Sequence, residues 1–219
     1  MARQPPLAER LMLPGPAGAL EALVETPADA GVPDRDAVRA FAVVCHPHPL
    51  FGGTLDNKVV WTLARAFEQL GAPAVRFNFR GVGRSAGAYD EGRGETADLL
   101  SVIAWGRQRW PQAALWLGGF SFGGVVALRA AAEARPERLV AVAPGITKID
   151  VSQAATPAFP WLVVQGDADE VVPPQTVLAW ARGLRPAPEI RVLAGAGHFF
   201  HGRIHELRDA VLEFMAQAR

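Results

Sequence analysis

The sequence predicts an α/β protein: a single domain over residues 1–219, with a mostly parallel central sheet and helices on both faces. Three observations carry that expectation. Short runs rich in Val, Leu, Phe and Ala alternate with helix-like segments along most of the chain, the order that βαβ crossovers need. At 219 residues the chain can bury one large core. A serine stands in the turn Gly119-Phe120-Ser121-Phe122-Gly123, with an apolar run before it and a helix-like run after it.

Taken in order, residues 11–13 and 20–26 read as an N-terminal hairpin. Residues 31–36 read as a loop or excursion before the next strand, 40–45, whose Ala-Phe-Ala-Val-Val-Cys run suits a buried position. Segment 56–70 carries apolar side chains at 59, 60, 63, 67 and 70, a helical spacing that stops at Gly71. A strand follows at 74–79. Residues 95–110 form a helix with acids early and arginines late, which matches its dipole, and Pro111 ends it. Strand 114–119 leads into the serine turn and helix 122–134 leads out of it. Strands at 139–143 and 161–165, a helix at 175–184, a strand at 190–193 and a closing helix at 205–218 complete the chain. Pro144 to Pro160 spans 17 residues, too few for a helical cap domain, so the site is expected to be open and without a lid.

Composition narrows the function classes. Half the residues are apolar, a fifth are charged and the formal net charge is zero. Such a balance attracts neither nucleic acid nor an anionic membrane. No apolar stretch approaches the ~20 residues of a membrane span. Residues 1–18 hold charges and four prolines without a long apolar core, so no signal peptide is expected. One cysteine, Cys45, permits no internal disulfide. Together these point to the cytoplasm and to a small-molecule substrate.

The serine turn carries the chemistry. Glycines two residues to either side of Ser121 let a strand and a helix approach closely around a strained residue. The strain holds the hydroxyl clear of the sheet at a helix N-terminus, where negative charge is favoured. A serine hydroxyl needs a base, and the base needs an orienting acid. The sequence supplies both in the order serine, acid, histidine. Strand 161–165 exits into Gly166-Asp167-Ala168-Asp169-Glu170, and strand 190–193 exits into Gly195-Ala196-Gly197-His198. Asp169 is the expected acid, past the turn at Gly166 and before Val171-Val172-Pro173; Asp167 and Glu170 are its alternatives. His198 is preferred to His201 because the glycines before it let its backbone pass close to the serine. An oxyanion needs backbone donors. One is the N–H of Phe122. The other comes from His46-Pro47-His48-Pro49-Leu50-Phe51, where the prolines have no N–H; His48, Leu50 and Phe51 remain, and Leu50 is the choice.

These motifs resemble the α/β-hydrolase superfamily, and more narrowly its small bacterial lid-less serine hydrolases. The resemblance rests on His-Pro-His-Pro at 46–49, Gly-Gly at 52–53, Asp-Asn-Lys at 56–58, Phe-Asn-Phe-Arg-Gly-Val-Gly at 77–83 and Gly-Phe-Ser-Phe-Gly-Gly at 119–124, and it covers nearly the whole chain. It implies the α/β-hydrolase fold without a cap, with Ser121, Asp169 and His198 as triad; the expected activity is hydrolysis of an ester or thioester of a small soluble molecule through an acyl-enzyme, with no cofactor. The loop 80–85 belongs to the same pattern as a structural connection. Substrate is not implied, since one scaffold hosts esterases, thioesterases, lactonases, peptidases and perhydrolases.

Other readings are weaker. Five histidines invite a metal site, and His201 and His205 share helical spacing, but no His-Glu-x-x-His pattern occurs. The glycines at 81, 83, 92 and 94 miss the dinucleotide fingerprint. Phe199 and Phe200 either line an acyl pocket or anchor the last loop. A non-catalytic binding protein on the same fold is the rival class; such proteins usually lack a triad member, and all three are present.

Overall fold

The structure, a computed structural model, describes residues 7–27, 38–151 and 157–217. Eight strands form one sheet: β1 Leu7–Leu13, β2 Leu20–Thr26, β3 Ala40–Cys45, β4 Ala74–Phe77, β5 Ala114–Phe120, β6 Arg138–Val142, β7 Trp161–Gly166 and β8 Glu189–Leu193. Five helices alternate with them: α1 Lys58–Gln69, α2 Arg93–Arg109, α3 Phe122–Ala134, α4 Pro174–Gly183 and α5 Ile204–Ala216. The spatial order is β1-β2-β4-β3-β5-β6-β7-β8. The hairpin β1–β2 is antiparallel and β2 meets β4 antiparallel. From β4 to β8 every pairing is parallel.

Alternation along the strands divides the core in two. Phe41, Val43 and Cys45 of β3 face one side with Leu117, Ile103, Val125 and Val177, where α2, α3 and α4 pack. Ala42 and Val44 face the other with Leu63, Phe67, Val211 and Phe214, from α1 and α5. Period-two strands buried on both faces read as unbroken apolar runs.

Several element ends differ from expectation where a specific hydrogen-bond partner decides them. β1 begins at Leu7 rather than 11 because its whole length pairs with β2. α1 starts at Lys58, capped by the Asn57 side chain, which accepts the N–H groups of Val59 and Val60. α2 starts at Arg93 because Glu95 reaches back to accept the N–H groups of Asp90 and Gly92. β4 stops at Phe77, and Phe79 N–H turns onto the His46 ring instead. The expected loop 31–36 lies outside the described residues, as does residue 218 of the closing helix. Between β6 and β7 no helix occurs among the described residues, and none of them forms a cap over the carboxyl end of the sheet.

That end is where the site residues gather. Because β3, β5, β6, β7 and β8 run parallel as neighbours, their exits open side by side. The β3 exit holds 46–53, β5 ends at the serine, the β7 exit holds the three acids and the β8 exit holds His198.

Candidate active site

Ser121 has φ 54° and ψ −114°, a region costly for any residue with a Cβ. Packing on three sides enforces it. A Cβ on Gly119 would run into the Gly123 carbonyl, and one on Gly123 would stand 2.5 Å from the carbonyl oxygens of Cys45 and His46. Ser121 N–H donates to Val142 O at 2.9 Å, and its own carbonyl accepts Gly145 N–H at 3.1 Å. The elbow is thus wedged between the exits of β3 and β6.

His198 Nε2 lies 3.1 Å from Ser121 Oγ, and its Nδ1 lies 2.8 Å from Asp169 Oδ2. The imidazole is 3% exposed, packed against Phe120 and edge-on to Phe199. Asp169 is held on both oxygens. Oδ1 accepts the N–H groups of Val171 and Val172 at 2.9 and 2.8 Å; Oδ2 also accepts from Gln165 Nε2 at 2.9 Å. Burial alone raises a carboxyl's pKa, but the bonds from His198 and from the Val172 and Val171 amides outweigh it, and Asp169 sits below the usual carboxylate range. It is therefore a carboxylate at neutral pH.

The two alternative acids hold the same histidine loop by its backbone. Asp167 Oδ1 accepts Gly195 N–H at 2.6 Å, and Glu170 Oε2 accepts His198 N–H at 3.2 Å. Three acids in one exit loop thus secure the 195–198 segment at three atoms, and only Asp169 reaches the ring. Gln165 was not singled out from sequence. Its signal is a polar residue at the end of an otherwise apolar strand.

On the oxyanion side, Phe122 N–H heads α3 and has no acceptor among the described residues. Leu50, chosen as the second donor, has its N–H on His48 Nδ1 at 3.2 Å. That happens because Pro49–Phe51 winds into a short 3-10 turn capped by the His48 side chain. Phe51 N–H is also engaged, on His48 O at 3.1 Å. His48 N–H is the one of the three without an acceptor among the described residues. Its peptide is clamped from the far side. His46 Nε2 accepts Phe79 N–H at 3.0 Å, so the ring proton is on Nδ1, which donates to Pro47 O at 2.6 Å. A trans peptide sets C=O and N–H antiparallel, so His48 N–H faces away from the buried His46. Gly53 makes the loop possible, since a Cβ there would collide with the Pro47 carbonyl.

The remaining candidates separate cleanly. Phe200 is fully buried in the core. Phe199 is 41% exposed beside the His198 ring. His201 stacks on Phe199 at the surface, and His205 is exposed on α5. Among the described residues no group of three or more His, Cys, Asp or Glu is placed to hold a metal. In the 80–85 loop, Arg80 pairs with Asp98 at 2.8 Å and Ser85 Oγ donates to Asn78 O at 2.7 Å, both internal braces.

A sheet of this order, with a serine on a strained turn after its fifth strand, defines an α/β-hydrolase, and comparison with known proteins agrees. A family model of the alpha/beta hydrolase fold matches residues 43–150. The solved structure of XC6422 from Xanthomonas campestris, an α/β serine hydrolase without lid, is 44% identical, with a TM-score of 0.88 over 98% of this chain and 96% of that one. An α/β serine hydrolase homologue from Coxiella burnetii is 42% identical, with a TM-score of 0.87 over 95% and 97%. The uncharacterized protein RP471 of Rickettsia prowazekii is 33% identical over 80% of this chain and 77% of its own. The chain belongs to the α/β-hydrolase family, among its lid-less serine hydrolases.

Proposed function

We propose that this hydrolase cleaves carboxylic esters or thioesters of small soluble molecules through Ser121, His198 and Asp169. The reading rests on one observation above all: an unbroken line from Asp169 Oδ2 through His198 to Ser121 Oγ, with steps of 2.8 and 3.1 Å. Ser121 Oγ attacks the acyl carbon while His198 Nε2 takes its proton. Negative charge gathers on the former carbonyl oxygen, where the N–H groups of Phe122 and His48 receive it. As the tetrahedral adduct collapses, the C–O or C–S bond breaks and His198 Nε2–H protonates the departing alcohol or thiol. The acyl group is then an ester on Ser121. Water attacks it, again giving its proton to His198; the second adduct collapses by breaking the bond to Ser121 Oγ, His198 Nε2–H returns the proton to Oγ, and a carboxylic acid leaves. Throughout, Asp169 holds Nδ1–H and stabilises the imidazolium.

His48 replaces Leu50 here as second donor because the Leu50 amide already has an acceptor within its own turn. Leu50 and Phe51 are 66% and 85% exposed at the rim, an arrangement that suits small substrates reaching an uncovered serine. Among the described residues no helix is long and apolar enough to cross a membrane. A panel of p-nitrophenyl esters of increasing chain length, with thioesters and lactones beside them, tests the reading. Turnover of an ester or thioester that disappears in Ser121→Ala is expected. Turnover that persists in Ser121→Ala would overturn it.

A further inference from the structure

His48 closes its own turn through Nδ1 and ties it to a second loop through Nε2. Leu50 N–H donates to Nδ1 at 3.2 Å, so the proton of the neutral ring is on Nε2, which stands 3.2 Å from the Tyr89 hydroxyl. The ring contacts Phe51, Tyr89 and Phe122, with centroids 4.8, 5.0 and 5.0 Å away. Tyr89 also reaches Phe122, at 5.9 Å. Three separate segments meet here: the β3 exit, the loop before α2, and the residue that follows Ser121. Burial holds His48 below the ordinary histidine range, against the pull of Glu95, which keeps Nδ1 free to accept.

We propose that Tyr89 and the His48 imidazole are positioning residues for the oxyanion site: Tyr89 Oη accepts the Nε2 proton, Nδ1 accepts the Leu50 amide, and the closed turn fixes His48's own N–H beside Ser121. This rests on the reading of Ser121 as nucleophile and of His48 N–H as second donor. An oxyanion donor is worth its full strength only when it is fixed before charge develops. His46 secures the Pro47 carbonyl end of that peptide. At the other end the His48 carbonyl accepts the Phe51 and Gly53 N–H groups, the prolines at 47 and 49 fix their own φ angles, and the His48 ring adds ties to Leu50 inside the turn and to Tyr89 outside it.

The test is kcat and KM on a p-nitrophenyl ester for Tyr89→Phe, His48→Ala, His48→Asn and the Tyr89→Phe/His48→Asn pair, with melting temperatures beside them. His48→Ala should lower kcat by about tenfold to a hundredfold with KM little changed, part of the loss seen when a donor is removed outright. His48→Asn should recover most of it, because an Asn side-chain oxygen accepts the same i+2 amide. Tyr89→Phe should lower kcat about fivefold, the worth of one hydrogen bond, and should add nothing in the His48→Asn background, where its partner is gone. His48→Ala and Tyr89→Phe both turning over at the wild-type rate would overturn the proposal. So would a Tyr89→Phe loss that is undiminished beside His48→Asn, or an effect that falls on KM alone. An active Ser121→Ala would instead overturn the reading of the site itself, so the two failures are separable.

Discussion

Two histidines lie buried at the same end of the sheet, and only one of them has partners suited to moving a proton. His46 is 0% exposed and His198 is 3% exposed. Both use both ring nitrogens. His46 spends them on backbone, the Phe79 N–H and the Pro47 carbonyl, neither of which can supply or store a charge. Burial with no counter-charge lowers its pKa to about 4, so it stays neutral and serves as a strut. His198 instead bridges a carboxylate and a hydroxyl. The hydroxyl can give a proton and the carboxylate can stabilise the cation that results. Burial is common to both; the chemistry of the partners makes the difference.

The largest expected effect separates the pair directly. His198→Ala should lower kcat by about six orders of magnitude, with a melting temperature near wild type. His46→Asn should do the reverse in kind: a clear drop in melting temperature, about 2 kcal/mol for a broken buried strut, with Ser121 still reactive in the folded fraction. Assays paired with thermal melts check both. A His46 variant as inert as His198→Ala and fully stable would erase the distinction.

Next in size comes the acid. Asp169→Asn should cost about 10⁴ in kcat, because the amide holds the wrong tautomer. Asp167→Asn and Glu170→Gln each touch one backbone N–H of the histidine loop and should cost about 1 kcal/mol of stability with kcat within tenfold. Steady-state kinetics on the three variants sharpens the comparison from the carboxylate side. Full activity in Asp169→Asn would transfer the role to one of the other two.

A smaller contrast appears in stability against pH. The folded state keeps His46 neutral down to about 4, while the unfolded chain protonates it near 6.5. In that window the unfolded state binds the extra proton, so stability falls as pH drops from 6.5 towards 4, by up to about 3 kcal/mol. Glu68, on the far side of the protein in α1, has the opposite slope. Burial, with Glu25 nearby, raises it to about 7 despite Arg65. The folded state holds its proton longer, so that contribution is present at low pH and is lost as pH rises through 7. Urea melts across pH 4–8 should show the acid-side fall flattened in His46→Asn and the neutral-side fall flattened in Glu68→Gln. Unchanged slopes would contradict the assignments.

Local pattern made the framework legible. The serine turn announces itself because strand, two glycine pairs and helix are contiguous, and the reason for Gly123 is a contact with Cys45 and His46 that any larger residue would forbid. Strand and helix positions followed from spacing, with ends displaced by a few residues where a particular hydrogen bond set them, as Glu95 does at short range for α2 and pairing with β2 does for β1. The site was legible as a set of residue types and an order. The direction of individual amides was not. Nothing in Pro49-Leu50-Phe51 says that a histidine side chain will fold back on Leu50 N–H, because that turn depends on Tyr89, forty-one residues on, and on Phe122. Gln165 escaped because its contact with Asp169, four residues on, forms only once the exit loop turns back; Glu170, weighed as an alternative acid, holds the His198 N–H instead of the ring.

Labelling with a fluorophosphonate, followed by peptide mass mapping, bears most directly on the relay between residues 121, 169 and 198. The account predicts stoichiometric modification of Ser121 in the folded wild-type protein, none in Ser121→Ala, and labelling slowed by orders of magnitude in His198→Ala. A folded wild-type protein that takes no label, or a His198→Ala variant that labels at the wild-type rate, would contradict it.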